Sequence, residues 1–444
     1  MIVIIRNLYK LSPFRHPMEI FNDRYREYKL DNGLHVILQD AHTPTISGEL
    51  RISHGSLHER PGEEGLAHLA EHVLLMGGTS RYSLDDVARV RRALEYLNAH
   101  TSTDVTSITC ELLAEDTPLF VDFAADAAFY PLFDERKLDK ERLRVLREIA
   151  EYRSSSIQKD FNDFETAFYG ENSPYCYDTL GSADVVRAAT PDDLRTFHQS
   201  GSYANNMSLM FAGPLPPNIN ELIGKTFADK PYGVCTKYEF LGVPPLTEPK
   251  VMKRAAPDMN NVADADESNA HIIMRIWAPD EKLPESYAVT MLSHILATGS
   301  NSRLFKAVSQ DRGLAYSVGG GYYGNDNAGF IQVWSQVQSK RQEEALDAIL
   351  GEMRKLQTDL VDNDELERIK KNVRFSMVKR LESSNGYMNA IKTKLESGRT
   401  YQDDIDGIAS VTPEQVRGAA NNYLPRSREE GSYVLLIRDP LLVE

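Results

Sequence analysis

Residues 65–78 read GLAHLAEHVLLMGG and bring His68, Glu71 and His72 within five positions. On an α-helix, positions i, i+3 and i+4 share one face, so the three side chains project together. Two imidazoles one turn apart can hold a single Zn²⁺ ion, and a carboxylate beside them can take a proton from metal-bound water. The alternative is an ordinary amphipathic helix with two partly exposed histidines and a salt-bridging glutamate. The stretch by itself leaves both interpretations open.

A second helix offers the further ligand that such a site needs, because catalytic zinc normally has three protein ligands. Within ERLRVLRE, Glu141 and Glu148 stand seven residues apart, which is two helical turns, and so lie on one face. Acids on a charged helix more often face water, so Glu148 gains meaning only through the histidine motif. A glutamate directly before the second histidine is a signature of one class of zinc proteases, although short motifs also arise by chance.

Length and composition narrow the class of protein. A chain of 444 residues is too long for one compact core and predicts two or more domains. The net charge of −15 argues against a nucleic-acid or anionic-lipid partner. The 3 cysteines are too few and too scattered for a disulfide framework, and no apolar run is long enough for a membrane helix. We therefore expect the cytoplasm, with an organellar matrix as the alternative, and a disordered lead-in over residues 1–20.

The order of predicted elements indicates an internal duplication. Strands and helices alternate up to a strand at 205–213, and the alternation resumes with AHIIMRIWAP and runs to YVLLIRDP. Between them, residues 238–268 are rich in proline, acids and amides without periodicity, which is typical of a linker. We predict an N-terminal domain over 1–237, which holds the zinc motif, a linker over 238–268, and a C-terminal domain over 269–444.

Several blocks of the chain, in order, resemble the pitrilysin-type zinc peptidases, which include insulysin and the mitochondrial processing peptidase. The blocks are NGLHVILQD, GLAHLAEHVLLMGG, NAHTSTDVTSITCEL, ERLRVLREI, LGSADVVRAATPDDLRTFHQSGSYANNMSLMFAG and SRLFKAVSQDRGLAYSVGGGY. The resemblance implies an α+β fold of two homologous α/β-sandwich domains, each a mostly antiparallel sheet with helices packed on one face. The second domain would form a wall of the substrate chamber.

The resemblance also implies roles for individual residues. His68, His72 and Glu148 would bind one Zn²⁺ per chain, with Glu71 as the general base and Glu141 orienting the site from behind the ligands. Two further residues, Asn98 and Ala99, would lie on an edge strand that pairs with an extended substrate. For Asn98, a helix C-cap is the alternative.

The block around Tyr316 departs from the family pattern. The family commonly has an arginine seven residues before this tyrosine, and the pair contacts substrate, but Ser309 stands there in this chain. Arg312 could take its place. Short members of the family close the chamber by pairing two chains, so we expect a homo- or heterodimer, and the missing arginine favours a related partner chain that supplies it.

The second half lacks the zinc residues. Opposite the motif it has Thr290, Ser293 and His294, and Arg374 falls roughly where Glu148 would be. We therefore interpret His294 as a helix histidine left over from duplication.

The function that the resemblance implies is a zinc endopeptidase that cleaves peptides or unfolded segments inside a closed chamber. The alternative is a non-catalytic structural subunit of a similar complex, and a third possibility is a chance motif in an unrelated α/β protein.

Overall fold

The computed structural model describes residues 24–171, 173–176, 178–236, 243–256, 268–324 and 328–442. The predicted lead-in over 1–20 and residues 238–242 and 257–267 of the predicted linker lie outside the described residues. No helix in the described part of the chain is long and apolar enough to span a lipid bilayer.

Eleven strands and fourteen α-helices are described. The strands are β1 (Tyr25–Lys29), β2 (His35–Asp40), β3 (Ile46–Ile52), β4 (Asn98–Thr101), β5 (Thr106–Leu112), β6 (Met207–Gly213), β7 (Lys250–Ala255), β8 (Asn269–Ala278), β9 (Ala315–Gly324), β10 (Gly329–Gln338) and β11 (Tyr433–Asp439). The helices are α1 (Leu66–Leu74), α2 (Leu84–Ala93), α3 (Thr117–Phe129), α4 (Glu135–Ser154), α5 (Ser156–Tyr169), α6 (Ala183–Ala188), α7 (Pro191–Gly201), α8 (Ile219–Phe227), α9 (Ser286–Ala297), α10 (Gln342–Thr358), α11 (Asn363–Arg380), α12 (Ser384–Ser397), α13 (Tyr401–Ser410) and α14 (Pro413–Tyr423).

The strands form two sheets of matching topology. The first has the order β1-β2-β6-β3-β5-β4 and the second β7-β11-β8-β10-β9. In each sheet one neighbouring pair is parallel, β2 with β6 and β7 with β11, and the other pairs are antiparallel. If β1 is set aside, each strand of one sheet has a counterpart in the other, in the same chain order and position. The predicted α+β fold of two related, mostly antiparallel sheets is confirmed.

One strand lies inside the predicted linker. Residues Lys250–Ala255 form β7 and pair in parallel with β11, so this part of the segment is an element of the second sheet rather than a connection. Its sequence, KVMKRA, carries three basic residues and has an exposed face, which hides the alternation expected of a half-buried strand. The domain boundaries themselves stay a prediction.

Each sheet buries one face against the helices of its own half. In the first half, Val36, Leu50 and Phe211 pack with Phe120 and Phe123 of α3. In the second half, residues of β8 and β10 pack with α9, α10 and α14 in a larger cluster. These two cores account for the helix layers that the sequence predicts.

The opposite face of each sheet is covered by a helix from the other half, which the sequence did not predict. Helix α5, from the first half, lies on the second sheet, where Phe164 and Phe168 pack with Val434 and Leu436. Helix α12, from the second half, lies on the first sheet, where Met388 and Ile391 pack with Ile37 and Met210 of the alternate strand face. The two halves therefore exchange one helix each.

The two exchanged helices are counterparts, because both begin after a serine N-cap, Ser155 and Ser383. At the fifth position after the cap, α5 has Asp160 and α12 has Met388. Asp160 is bound by Arg438 of β11 at 2.7 Å between Nε and Oδ2, and both side chains are buried. Met388 instead packs near Ala212. Ala212 is the sixth residue of β6, and Arg438 is the sixth residue of its counterpart β11.

The interface between α12 and the first sheet and the interface between α5 and the second sheet differ in polarity at a second position, this time with the ion pair on the α12 side. At the ninth position after the cap, Lys392 of α12 binds the buried Glu49 of β3 at 2.5 Å. The counterpart pair in the other interface is apolar, with Phe164 of α5 beside Ile273 of β8. At these two positions, each interface has an ion pair where the other has an apolar contact.

We predict that Asp160→Ala destabilises the chain by ~3–5 kcal/mol, because Arg438 is then left buried without its carboxylate. Replacing both residues by the pair found at the counterpart position, Asp160→Met with Arg438→Ala, recovers most of this loss. Urea unfolding followed by circular dichroism measures both effects. A double variant no more stable than Asp160→Ala contradicts the argument.

Candidate active site

The N-cap residue of the motif helix α1 is a glycine, and the helix is capped by a side chain from outside the helix. Gly65 has the left-handed backbone angle φ of 105° and supplies no capping side chain. Instead, Glu59 Oε1 accepts hydrogen bonds from the backbone N–H groups of Gly65 at 3.0 Å and Ala67 at 2.8 Å. The carboxylate is buried and stands at the positive end of the helix dipole. Glu59 therefore fixes where α1 starts, one turn before His68.

A second glycine allows a neighbouring segment to approach this helix start. A Cβ atom on Gly181 would lie 2.2 Å from the backbone nitrogen of Gly65, so only glycine fits there. The next residue, Ser182, donates its backbone N–H to the carbonyl oxygen of Glu64 at 2.9 Å. The loop before α6 thereby holds the first turn of α1.

The apolar positions of α1 anchor it in the first half. Leu69 and Val73 are buried in a cluster with Val145 and Ile149 of α4. This packing sets α1 against α4 and leaves the motif side chains half-buried on the remaining face.

The structure brings His68, His72 and Glu148 together. The Nε2 atoms of the two histidines are 3.1 Å apart, and Glu148 Oε2 lies 3.7 Å from that of His68 and 3.5 Å from that of His72. One potential ligand atom from each residue falls within 4.8 Å of the other two. Among the residues that the structure describes, this is the only group of three or more histidine, cysteine and acidic side chains with such spacing.

Glu141 lies behind His72, on the side away from Glu148. Its Oε2 atom is 3.3 Å from His72 Nδ1 and accepts a hydrogen bond of 2.8 Å from Arg144 Nη1. A carboxylate at Nδ1 favours the tautomer with the proton on Nδ1, which leaves Nε2 free to bind a cation. In the described part of the chain, His68 Nδ1 is buried and has no hydrogen-bond partner, so only one of the two imidazoles is oriented in this way.

The donor set fits a divalent cation. Burial, together with the neighbouring imidazole of His72, lowers the pKa of His68 to about 4, so its ring is neutral at physiological pH, the form that a metal requires. Burial, together with the charge of Glu148, raises the pKa of Glu71 to about 8. The carboxyl group of Glu71 is therefore largely protonated at neutral pH, and a cation bound nearby would favour its ionised form.

A small cavity on the other side of Glu71 is lined by two further histidines. His54 Nε2 lies 3.2 Å from the carbonyl oxygen of Phe197, and His198 Nε2 lies 2.8 Å from that of Ala128. Burial lowers the pKa of His54 to about 3 and that of His198 to about 4. Both rings are neutral parts of the wall behind α1.

Asn98 and Ala99 lie on β4, the edge strand of the first sheet, and α1 packs against this strand. Asn98 is exposed and Ala99 is buried. Helix α2 ends at Ala93, so Asn98 is not its C-cap and that alternative was wrong. The register pairs Asn98 with Thr109 of β5 and leaves the outer edge of β4 without a strand in the described structure.

The structure places Tyr316 in the second half, whereas His68, His72 and Glu148 lie in the first. Tyr316 lies on β9, the edge strand of the second sheet and the counterpart of β4, and its side chain is 92% exposed. Arg312 is also exposed, in the turn before β9, and Ser309 lies in the preceding π-helical segment Phe305–Gln310.

In the described part of the second half, no group of three or more histidine, cysteine and acidic side chains has the spacing of a metal site. Ser293 donates its hydroxyl to the backbone oxygen of Thr290, one turn earlier in α9. Burial and the charge of Arg380 lower the pKa of His294.

The counterpart of Glu148 is Ser376 rather than Arg374. Helices α4 and α11 both begin after an aspartate N-cap, and Glu148 and Ser376 are each the fourteenth residue after it. The two helices also bury the same positions, the fourth, seventh, eleventh and fifteenth after the cap. The position expected from the sequence, Arg374, was two residues too early because no motif marks the start of α11.

Sequence reasoning missed Glu59 and Arg144. Glu59 stands in a loop rich in charge and glycine, and nothing local links it to a helix that begins seven residues later. Arg144 follows Glu141 by three residues on a helix, a spacing that indicates an ion pair and could have been used.

Comparisons with known proteins identify the family to which the chain is similar. Residues 35–173 match the family model described as insulinase, peptidase family M16, and residues 188–373 match that of the peptidase M16 inactive domain. A relative from Bacillus subtilis named as the uncharacterized zinc protease YmxG is 25% identical over 401 residues, covering 89% of this chain and 94% of the relative.

Solved structures share the fold. A protease from Helicobacter pylori superimposes with a TM-score of 0.80 at 19% identity, over 94% of this chain and 99% of that one. A peptidase M16 inactive domain from Pseudomonas fluorescens gives 0.74 at 18% identity, over 95% and 99%. The chain belongs to peptidase family M16, and the resemblance to the pitrilysin-type zinc peptidases is confirmed.

We predict that Glu59→Ala weakens zinc binding by about tenfold, because the first turn of α1 loses a charged cap worth about 1–2 kcal/mol. Glu59→Gln keeps an oxygen acceptor and loses less. Zinc affinity is measured by competition with a chromogenic chelator, and Glu63→Ala, on the same loop, is the control. Equal affinities for Glu59→Ala and the control would contradict a role for the cap.

The neutral histidines behind α1 predict a loss of stability in acid. Their folded pKa values lie below the ordinary 6.5, so the unfolded chain binds more protons as the pH falls from about 6.5 towards 4, and the folded state is destabilised in that window. Replacing His198 by glutamine should reduce the slope of unfolding free energy against pH, between pH 5 and 6, by ~1.4 kcal/mol per pH unit. Urea unfolding at several pH values tests this, and an unchanged slope refutes it.

Proposed function

We propose that the chain is a zinc-dependent endopeptidase. The observation that carries the proposal is the convergence of His68, His72 and Glu148, with ligand atoms within 4.8 Å of one another, beside the carboxyl group of Glu71. Membership of family M16 and the names of relatives as zinc proteases support it.

In this proposal His68, His72 and Glu148 would hold one Zn²⁺. A bound zinc ion supplies a water whose pKa is near 7 and polarises the carbonyl of the scissile peptide bond. Glu141 keeps the His72 ring in place from the far side, and Arg144 keeps Glu141 in place.

Glu71 acts as the general base. Its carboxyl group shares the helix face of the two histidines and is one residue from His72, within reach of a water bound beside them. It would take one proton from a water whose oxygen bonds to the carbonyl carbon, and it would donate that proton to the amine nitrogen as the C–N bond breaks. Because burial disfavours the ionised form in the metal-free protein, the positive charge of the cation is also what readies Glu71 to accept a proton.

The edge strand β4 binds the substrate. An extended peptide can pair with the free edge at Asn98 and Ala99, which aligns the backbone beside α1 without reading side chains. This mode suits peptides or unfolded segments, since a folded protein does not expose a strand in this way.

We further propose that two related chains pair to close a chamber. Tyr316 and Arg312 are exposed on the second half and are available to a substrate held by the partner chain. If the partner is a different, related chain, it would supply the arginine that is absent at Ser309. Sedimentation equilibrium of the protein alone and mixed with a related chain tests this, and a monomer under both conditions refutes it. The free thiols fit a reducing compartment such as the cytoplasm, which cell fractionation tests.

The second candidate is a non-catalytic subunit, favoured by the similarity of the second half to the inactive-domain model. The complete donor set in the first half argues against it. Protein that binds no zinc, and gains no peptidase activity when zinc is added, would support this alternative.

We predict that Glu71→Gln lowers kcat for peptide cleavage by about a thousandfold, because general-base catalysis contributes roughly 10²–10⁴. The variant should still bind one zinc ion per chain, since Glu71 is not a ligand. Cleavage of a quenched fluorescent peptide and metal analysis measure the two quantities, with Glu63→Gln as the matched control. Turnover equal to that of the control would eliminate the mechanism.

A further inference from the structure

Helix α11 carries a basic stripe on its solvent face, formed by Arg368, Lys371, Phe375 and Lys379. The spacings of three, four and four residues place these side chains in one line along the helix, opposite its buried side. Lys371 and Lys379 are exposed, and the ring of Phe375 is 65% exposed.

The charge of this helix is opposite to that of the chain as a whole. From Glu367 to Arg380 there are six basic residues and one acid, in a chain of net charge −15. The one acid, Glu367, is bound to Lys370 at 2.8 Å. Within the described residues, neither Lys371 nor Lys379 has an ion pair.

The fold does not require the stripe. The four counterpart positions on α4 are Lys140, Leu143, Arg147 and Glu151. That mixture of charges serves equally well as the solvent face of the same helix in the first half. The uniform positive charge on α11 therefore needs another explanation than packing.

The stripe lies next to the second half's counterpart of the metal site. Phe375 directly precedes Ser376, which corresponds to Glu148, and α11 packs against α9, which packs against the edge strand β9 with Tyr316. The stripe thus runs along the helix that carries the counterpart of Glu148, at positions next to that counterpart.

We propose that the basic stripe binds an extended acidic segment of the peptide substrate, which rests on the proposed peptidase function. From Arg368 to Lys379 the stripe is ~17 Å long at 1.5 Å per residue. About five residues of an extended peptide, at ~3.3 Å each, match this length. Lys371 and Lys379 pair with substrate carboxylates, and Phe375 contacts an apolar side chain between them.

A peptide fits better than an anionic membrane. At physiological salt, charges beyond about 8 Å are screened, so a peptide lying on the stripe interacts mainly with the stripe. A bilayer surface is far wider and would also face the acidic remainder of the protein, which repels it.

The test measures binding of two fluorescein-labelled peptides to the full-length chain carrying Glu71→Gln, so that no cleavage interferes. One peptide contains alternating glutamates and the other has glutamine at the same positions. We expect the acidic peptide to bind about tenfold more tightly, and more weakly as salt is raised, since exposed ion pairs are individually weak and screened.

Two variants assign the effect to the stripe. Lys371→Glu with Lys379→Glu should abolish the preference, and the milder Lys371→Gln with Lys379→Gln should reduce it. The matched control is Lys29→Glu with Lys225→Glu, which makes the same change of net charge at exposed lysines of the first half. Equal affinity for the two peptides overturns the proposal, and so does an equal loss of the preference in the control variant. The proposal is also overturned if there is no peptide preference but the protein sediments with phosphatidylserine vesicles in a way that depends on the stripe.

The outcome is separable from that of the peptidase proposal. The charge preference is measured with and without a chelator, and it should persist without metal because no stripe residue belongs to the donor set. A preserved preference in a chain whose wild-type form cleaves nothing would refute the peptidase and leave the stripe. Cleavage of both peptides with no preference in binding would refute the stripe and leave the peptidase.

Discussion

The structure depends on the exchange of helices α5 and α12 between its two halves. Each helix covers the second face of the other half's sheet, so neither sheet is fully buried without the opposite half. Helix α4, which carries Glu148, ends at Ser154 and is joined to α5 through Ser155 alone. The position of Glu148 therefore depends on α5, and α5 is held by the second half through Arg438 and Asp160. His68, His72 and Glu148 all belong to the first half, yet the position of Glu148 depends on the second.

The candidate site is built on two rigid helices rather than on loops, which suits a site that needs precise donor spacing. Its first helix is fixed at the start by the Glu59 carboxylate and along its length by apolar packing against α4. The carboxyl groups of Glu71, Glu141 and Glu148 surround two imidazoles, and the raised pKa of Glu71 reflects its burial and the charge of Glu148, which a divalent cation would offset. A cation there would stabilise the fold at the contact between α1 and α4.

The sequence predicted most elements of the first half, the two related halves and the clustering of His68, His72 and Glu148, because those features depend on local periodicity and on spacing within a helix. It did not predict the helix exchange, since α5 and α12 have the amphipathic pattern of any core-facing helix and nothing in that pattern says which sheet they cover. It missed Glu59 for a similar reason, because a cap contributed by a distant loop has no local signature. Strand β7 was hidden by its basic residues, and the shifted counterpart of Glu148 reflects a helix start that only the N-cap geometry reveals.

The unlike polarity of the two exchanged interfaces has a consequence for the history of the chain. A tandem duplication begins with two interchangeable halves, each able to associate with a copy of itself. Here a pairing of two first halves would set the carboxylate of Asp160 against Ala212, and a pairing of two second halves would leave Arg438 facing Met388. Substitutions of this kind make a duplication irreversible, because each half now folds against the other and can no longer be lost or shuffled alone.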